Sequence, residues 1–211
     1  MSKEVQGLFD DLRSMHGEPR VELKFSNPLE LVVATILSAQ CPDERVNAVT
    51  EALFKEYRTI EDYAKAPLSE LEERIRSINF YRNKAKAIKE FATEVRENFG
   101  GRIPEEIEIL EGIKGIGRKS ASMIAALAFG KAAVIVDTHV KRVAQRVGLS
   151  SSKDPLEIEM DLRSKVPEHL WTPLSLLLIL HGRYICKARA PQCEECLLRD
   201  RCEYFRETHT L

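Results

Sequence analysis

The stretch EGIKGIGRKSASMIAALAFGKAAVIVDTH, Glu111 to His139, decides how the chain is read. Within it, Gly115-Ile116-Gly117 precedes a helical run carrying Lys119, and an isolated acid follows at Asp137. Two glycines let the backbone turn tightly without Cβ clashes and leave amides exposed at a helix N-terminus, where a phosphate oxygen can dock. Lys119 falls in the first helical turn, where a cation opposes the helix dipole and has Arg118 beside it. Both neighbours disfavour protonation, so the expected amine lies closer to a usable nucleophile than an ordinary surface lysine. From Arg118 to Phe129 the run of Ala and Ser with Met123, Ile124 and Leu127 predicts a closely packed helix, closed by Gly130. Val134-Ile135-Val136 reads as a buried lead-in, more than as a strand, to a helix from Thr138 to Val147 with Asp137 as its cap.

Outward from this stretch, helix signals dominate. Asn27-Pro28 starts a helix over Leu29 to Ala39, Asp43 caps one ending near Tyr57, Thr59 starts a short one, and Pro67 with Ser69 precedes Glu70 to Ile78. Tyr81 to Phe99 keeps helical spacing through Ala85, Ile88, Phe91, Ala92 and Val95, then stops at Gly100-Gly101. Glu105 to Gly112, Pro155 to Val166 and Pro173 to Tyr184 complete the set, with Trp171 as an expected anchor of a second core. There is no hairpin pattern, internal repeat or low-complexity tract, and a seam is expected between Lys131 and Ala133. The chain reads as all-α.

At 211 residues, 44% hydrophobic and 31% charged, it can bury a core as one domain or two small ones. The net charge of -1 hides segregation: residues 1–73 hold 15 acids against 8 bases, residues 74–96 hold 7 bases against 2 acids, and residues 112–148 hold 7 bases against Asp137 alone. Binding to a phosphate backbone depends on such local basic faces, and two of them could flank one groove. The longest apolar stretch, Leu174 to Leu180, is far short of the roughly 20 residues a membrane helix needs. Met1 to Asp10 has neither an apolar core nor a basic leader, so a cytoplasmic protein is expected, nucleoid-associated if prokaryotic.

Cys186, Cys193, Cys196 and Cys202 form C-x6-C-x2-C-x5-C, four soft thiolates on one short loop. In a reducing compartment this reads as metal ligation before disulfides, and the spacing alone leaves iron–sulfur and zinc both open. Cys41 stands apart as a small buried filler. His181 is expected to pack or bond locally.

LSAQ at Leu37 to Gln40, GIGRKSA at Gly115 to Ala121, VDTHVKRV at Val136 to Val143, LHGRYIC at Leu180 to Cys186 and the cysteine spacing together resemble the endonuclease III branch of the helix-hairpin-helix DNA glycosylases. The resemblance runs from about Pro28 to Tyr204. It implies a six-helix barrel with the helix-hairpin-helix over residues 21–132, a second helical domain from residues 1–20 and 133–211, and a DNA-binding cleft between them. It also implies a [4Fe-4S] cluster on the four cysteines, mainly structural. The family's Schiff-base lysine falls on Lys119 and its catalytic aspartate on Asp137. Gln40 matches the residue that fills the space of an extruded base, and Phe80 the wedge in the opposite strand, although Phe80 departs from an aliphatic wedge. DNA contacts are further expected from Lys114, Gly115, Ile116, Gly117, Arg118 and His139, with Lys114 replacing a usual proline, Ile116 packing inward and His139 able instead to cap its helix.

The implied activity is a bifunctional DNA glycosylase and AP lyase of base excision repair, a monomer acting on oxidised pyrimidines or abasic sites in double-stranded DNA. A monofunctional mismatch glycosylase and a non-catalytic helix-hairpin-helix DNA-binding protein are the alternatives, and a zinc-stabilised interaction protein is a third. Lys119 separates the first reading from the others, because strand cleavage needs an amine that forms an imine with the sugar.

Overall fold

The computed structural model describes residues 3–209, and every regular element among them is helical. In chain order the helices are α1 Lys3–His16, α2 Pro28–Ser38, α3 Asp43–Glu56, α4 Ile60–Lys65, α5 Leu68–Arg74, α6 Tyr81–Asn98, α7 Ile107–Gly112, α8 Arg118–Phe129, α9 Thr138–Arg146, α10 Pro155–Lys165, α11 Trp171–Tyr184 and α12 Glu203–His209. Tighter 3-10 turns lie at Glu168–Leu170, Cys193–Glu195 and Arg199–Arg201. Two compact units result, Glu22–Lys131 and a unit drawn from both ends of the chain, Met1–Val21 with Ala132–Leu211. No described helix is long and apolar enough to cross a membrane.

In the Glu22–Lys131 unit, α2 is buried nearly all round and packs on α3, α6 and α8. A helix apolar on every face has no stable place except inside other helices. Asn27 starts it by accepting the Glu30 amide at 3.0 Å, with Pro28 at the first position, where a missing N–H costs nothing. Helix α6 lays Ala85, Ile88, Phe91, Ala92 and Val95 on one face, and α4 and α5 pack against it. Its end is closed by Gly100 and Gly101, both left-handed, with the Gly101 amide donating to Val95 O at 3.0 Å. Thr59 and Asp62 form a reciprocal capping box on α4. Two expected starts shift. Asp43 is the first residue of α3, and Pro42 occupies the cap position. Helix α5 begins at Leu68, directly after Pro67, and stops at Arg74; a turn then carries Ile75 and Ile78 into the core.

The split unit is built on α11, which packs against α1 and α9. In helix α1, Val5, Leu8, Phe9 and Leu12 recur at the spacing of one helical face and all are buried. Helix α11 starts two residues before Pro173 because the 3-10 turn at Glu168–Leu170 runs straight into it. A proline in the first turn is tolerated, since the amides there have no intrahelical partner. The lead-in before α9 forms no strand. The Ala133 amide donates to Thr172 Oγ1 at 3.2 Å and the Ile135 amide to Ser175 Oγ at 3.0 Å, so two side chains of α11 take the place of a partner strand. Trp171 packs on this core and donates its Nε1–H to Val166 O at 2.8 Å.

The two hairpin glycines are not equivalent. Gly115 has φ +90 and an added Cβ would stand 3.3 Å from Ala87 Cβ, whereas Gly117 has φ -92 and open space around it. Gly115→Ala should therefore cost about 1–3 kcal/mol in chemical denaturation of the cluster-loaded protein, through strained backbone. Gly117→Ala should stay within roughly 0.5 kcal/mol, as expected of an open surface position.

Candidate active site and metal centre

The hairpin sits between α7 and α8. The Ile116 amide donates to Ile113 O at 3.0 Å and the Ile116 side chain is buried, which turns the backbone of Gly115 and Gly117 outward. Gly117 is the N-cap of α8 and no side chain caps the helix there, so its first amides face the site an anion would take. Lys119 is half-buried in the first turn, its Nζ 3.4 Å from Met123 Sδ one turn on. The basic residues beside the hairpin are held by carboxylates. Lys114 Nζ meets Glu90 Oε1 at 2.9 Å, its amide donates to Glu94 Oε2 at 3.2 Å, and Arg118 reaches Glu111 at 3.3 Å and Glu108 at 3.6 Å. Exposed pairs of this kind contribute little stability and exchange readily for a phosphate.

Gln40 and Phe80 lie in the same unit, and the structure brings their loops together. Both residues are left-handed, φ +53 and +58, and with Ala190 they are the non-glycine residues of positive φ among those described. Phe80 is the N-cap of α6 and 62% exposed. Asn79 Nδ2 donates to Gln40 O at 2.8 Å, and Lys84 Nζ donates to Leu37 O at 2.8 Å and Ala39 O at 2.6 Å. Lys84 is only 6% exposed, and burial pushes its ammonium below the ordinary lysine range, opposed by the nearby Cys41 thiol.

Asp137 belongs to the split unit, where it caps α9. Its Oδ1 accepts the His139 and Val140 amides, each at 2.8 Å, while Oδ2 is not used in the cap. His139 does not cap; its ring turns to Arg142, Nδ1 to Nη2 3.3 Å, and burial pushes its pKa down. A Cβ on Gly182 would meet His139 Cβ at 2.7 Å, so glycine there is what allows α9 and α11 to approach. Arg142 goes on to donate to Gly182 O at 2.7 Å and Cys186 O at 3.0 Å.

Cys186, Cys193, Cys196 and Cys202 line one recess in the same unit, walled by Val147, Ile185, Pro191, Leu198, Tyr204 and Phe205. None is in a disulfide. Burial pushes the Cys196 thiol up to about 11 and raises Cys193 and Cys202 as well, and the neighbouring thiols push each of them further. On their own these stay neutral thiols, and a bound cation would draw them to the thiolate form that ligates metal. Four cysteine sulfurs lining one recess are the soft donor set that an iron–sulfur cluster takes. Arg146 donates from Nη1 to Cys186 Sγ at 3.2 Å and to Lys187 O at 2.8 Å, and stacks on Tyr204 at 4.1 Å.

His181, expected only to bond locally, is 1% exposed and lies between α1 and the cysteine loop, with Nδ1 3.0 Å from His16 Nε2 and Nε2 3.6 Å from Cys196 Sγ. Burial pushes His181 down to about 4, with His16 and Arg142 adding to it, so the ring is neutral. A His16 Nε2–H given to Nδ1 leaves the His181 Nε2–H for the sulfur. The sequence reading passes over Asn79, Lys84, Arg142, Arg146 and His181 as site residues. Only Lys84 carries a signal, a charge on the apolar face of α6.

The model of the HhH-GPD superfamily of base excision DNA repair proteins matches residues 33–168, and that of the iron–sulfur binding domain of endonuclease III matches residues 186–202. The chain is 45% identical over 201 residues to endonuclease III of Bacillus subtilis strain 168, covering 95% of this chain and 92% of that protein. Among solved structures, a trapped endonuclease III–DNA covalent intermediate, an estranged-adenine complex, superimposes with a TM-score of 0.92 at 39% identity over 100% of both chains. A thermostable thymine-DNA glycosylase follows at 0.87 and 25%, covering 97% of this chain and 98% of that one. Identity sustained across nearly the whole length, through both the hairpin region and the cysteine loop, means that the chain belongs to the endonuclease III family of HhH-GPD base excision DNA repair proteins.

Proposed function

We propose that this chain removes oxidised pyrimidines such as thymine glycol from duplex DNA and then cuts the strand, with Lys119 as nucleophile and Asp137 as the assisting carboxylate. Its family sets the reaction class, a DNA glycosylase with AP lyase activity that carries an iron–sulfur cluster. The observation that carries the assignment of Lys119 is its place in the first turn of α8, behind a hairpin whose Gly115 is left-handed and whose Gly117 is open. It is similar throughout its length to an endonuclease III caught covalently on DNA, which supports a nucleophile on the protein.

In this reading the neutral Lys119 amine attacks C1′, the glycosidic bond breaks, and its electron pair leaves on the base, which takes up a proton. The amine loses a proton and the sugar ring opens to an imine. Loss of a C2′ proton then expels the 3′ phosphate by β-elimination, and water releases the lysine. Asp137 Oδ2, outside the cap, takes the proton from Lys119 and stabilises positive charge developing on the sugar. The base must leave the stack first, at a cost of a few kcal/mol that Gln40, filling the vacated space, and Phe80, wedged into the opposite strand, partly offset. The Gly115 and Gly117 amides take a phosphate, and Lys114 and Arg118 exchange their carboxylates for the backbone. The cysteines hold a [4Fe-4S] cluster that orders the loop bearing Lys187 and Arg189. The protein works as a monomer in the cytoplasm, on the nucleoid if its source is prokaryotic.

Borohydride should trap a covalent adduct on duplexes carrying thymine glycol or an abasic site, and the folded, cluster-loaded Lys119→Gln variant should give none. Trapping on the abasic duplex alone would remove oxidised pyrimidines from the reading. Absence of any adduct despite DNA binding would point to a monofunctional enzyme.

Asp137→Asn keeps an acceptor for the two amides and loses the charge. It should melt within about 1 kcal/mol of the parent while excision falls roughly 10²–10⁴-fold. The freshly purified protein should absorb visible light through its cluster, and Cys196→Ala should lose that absorbance along with order in the loop.

A further inference from the structure

Helix α2 ends at Ser38, and its last carbonyls need partners from outside the helix. Helices that end in a left-handed residue commonly use glycine there, which turns at no steric cost. This chain instead places Gln40 in the left-handed region and recruits Lys84, nearly fully buried in the first turn of α6, to donate to Leu37 O and Ala39 O at 2.8 and 2.6 Å. The following carbonyl, Gln40 O, takes its bond from Asn79 Nδ2 at 2.8 Å, and Asn79 Oδ1 is held in turn by Arg45 Nη1 at 3.2 Å. Asn79 directly precedes Phe80, the second left-handed side chain, and the Lys84 amide donates to Phe80 O at 3.1 Å. Three hydrogen bonds thus tie two strained loops together. Gln40 is exposed and Phe80 is 62% exposed, so both side chains project from backbones that others hold.

We propose that Asn79 and Lys84 are positioning residues for duplex opening, clamping the Gln40 loop to the first turn of α6 so that the filler and the wedge act at a fixed spacing. This rests on the reading of Gln40 and Phe80 given above. Strain at an exposed residue persists only where its surroundings over-determine it, and here the surroundings are these two side chains. The clamp acts before chemistry, on the unstacking step, and touches neither Lys119 nor the sugar.

The test compares excision of thymine glycol from a fully paired duplex with excision from one carrying it in a single-nucleotide bulge, already unstacked. In Asn79→Ala the paired-to-bulged rate ratio should fall about tenfold, a fraction of the unstacking cost of a few kcal/mol that filler and wedge offset. Fluorescence of a 2-aminopurine placed beside the lesion should show slower base opening in the same variant. In a Gln40→Ala background, Asn79→Ala should lower the ratio less than about twofold, because the partner it positions is already gone. Lys84→Met should behave as Asn79→Ala does; if it does not fold, Asn79→Ala decides alone. The proposal is overturned if Gln40→Ala and Phe80→Ala lower the ratio while Asn79→Ala leaves it unchanged, or if the effects of Gln40→Ala and Asn79→Ala simply multiply. Should Gln40→Ala and Phe80→Ala themselves leave the ratio unchanged, the reading of those two residues fails and the clamp falls with it.

Discussion

An α-helix leaves its first amides and last carbonyls without partners, and an all-helical chain of this length must resolve that at two dozen ends. Here the resolution and the functional surface coincide. Asp137 is the N-cap of α9, Gly117 of α8 and Phe80 of α6; Gln40 follows the end of α2, and Cys186 follows the end of α11. Helix ends are where backbone groups point outward, donors at the starts and acceptors at the ends, so an anion finds amides at a start without the fold having to build a separate loop. They are also rigid, because each is anchored by a helix whose other face is buried.

The same constraint governs the charges. A cation at a helix start is unfavourable and one at a helix end favourable. Lys84 satisfies the second rule, donating into the end of α2 although it belongs to α6. Lys119 and Arg118 depart from the first rule at the start of α8, where Glu108 and Glu111 pair with Arg118. Because those pairs are exposed, they hold the basic face in register without committing much free energy to it. The charge segregation along the sequence therefore overstates the net basicity around the hairpin, where Glu90 and Glu94 of α6 fold back onto Lys114.

What could be read from the sequence follows from how local each determinant is. Helix α8 lies where its pattern puts it because Gly117 and Gly130 bound it on both sides, and the Asp137 cap needs only the two residues after it. The apolar spacing of α1, Val5, Leu8, Phe9 and Leu12, is equally local, yet the resemblance implies only a helical domain there and no bounds for the helix. Pro173 marks the start of α11 in the sequence, but the helix begins at Trp171 because the preceding 3-10 turn already sets its axis. The clamp was out of reach for a different reason. Asn79 lies 39 residues from Gln40 and Lys84 lies 47 from Leu37, and nothing in either neighbourhood says that they meet. Equally, both glycines of the hairpin look alike in sequence, and only the backbone shows that Gly115 needs its missing Cβ for its turn while Gly117 leaves room for something outside.

The cysteine loop shows the limit of what helix packing can do. Between Cys186 and Cys202 the chain buries little besides Leu198 and the two end cysteines, while Lys187, Ala188, Arg189 and Ala190 are exposed and Ala190 is left-handed. So short a segment has no core of its own to offset the entropy of ordering it. Side chains from α9 supply part of the restraint, since Arg142 and Arg146 bind the carbonyls of Cys186 and Lys187, and the Cys202 thiol returns a bond to Arg146 O at 3.3 Å. The remainder must come from whatever converts these thiols to thiolates and holds them in one recess. Metal binding is folding free energy in such a loop, and so its basic side chains are presented by the cluster as much as by the helices around it.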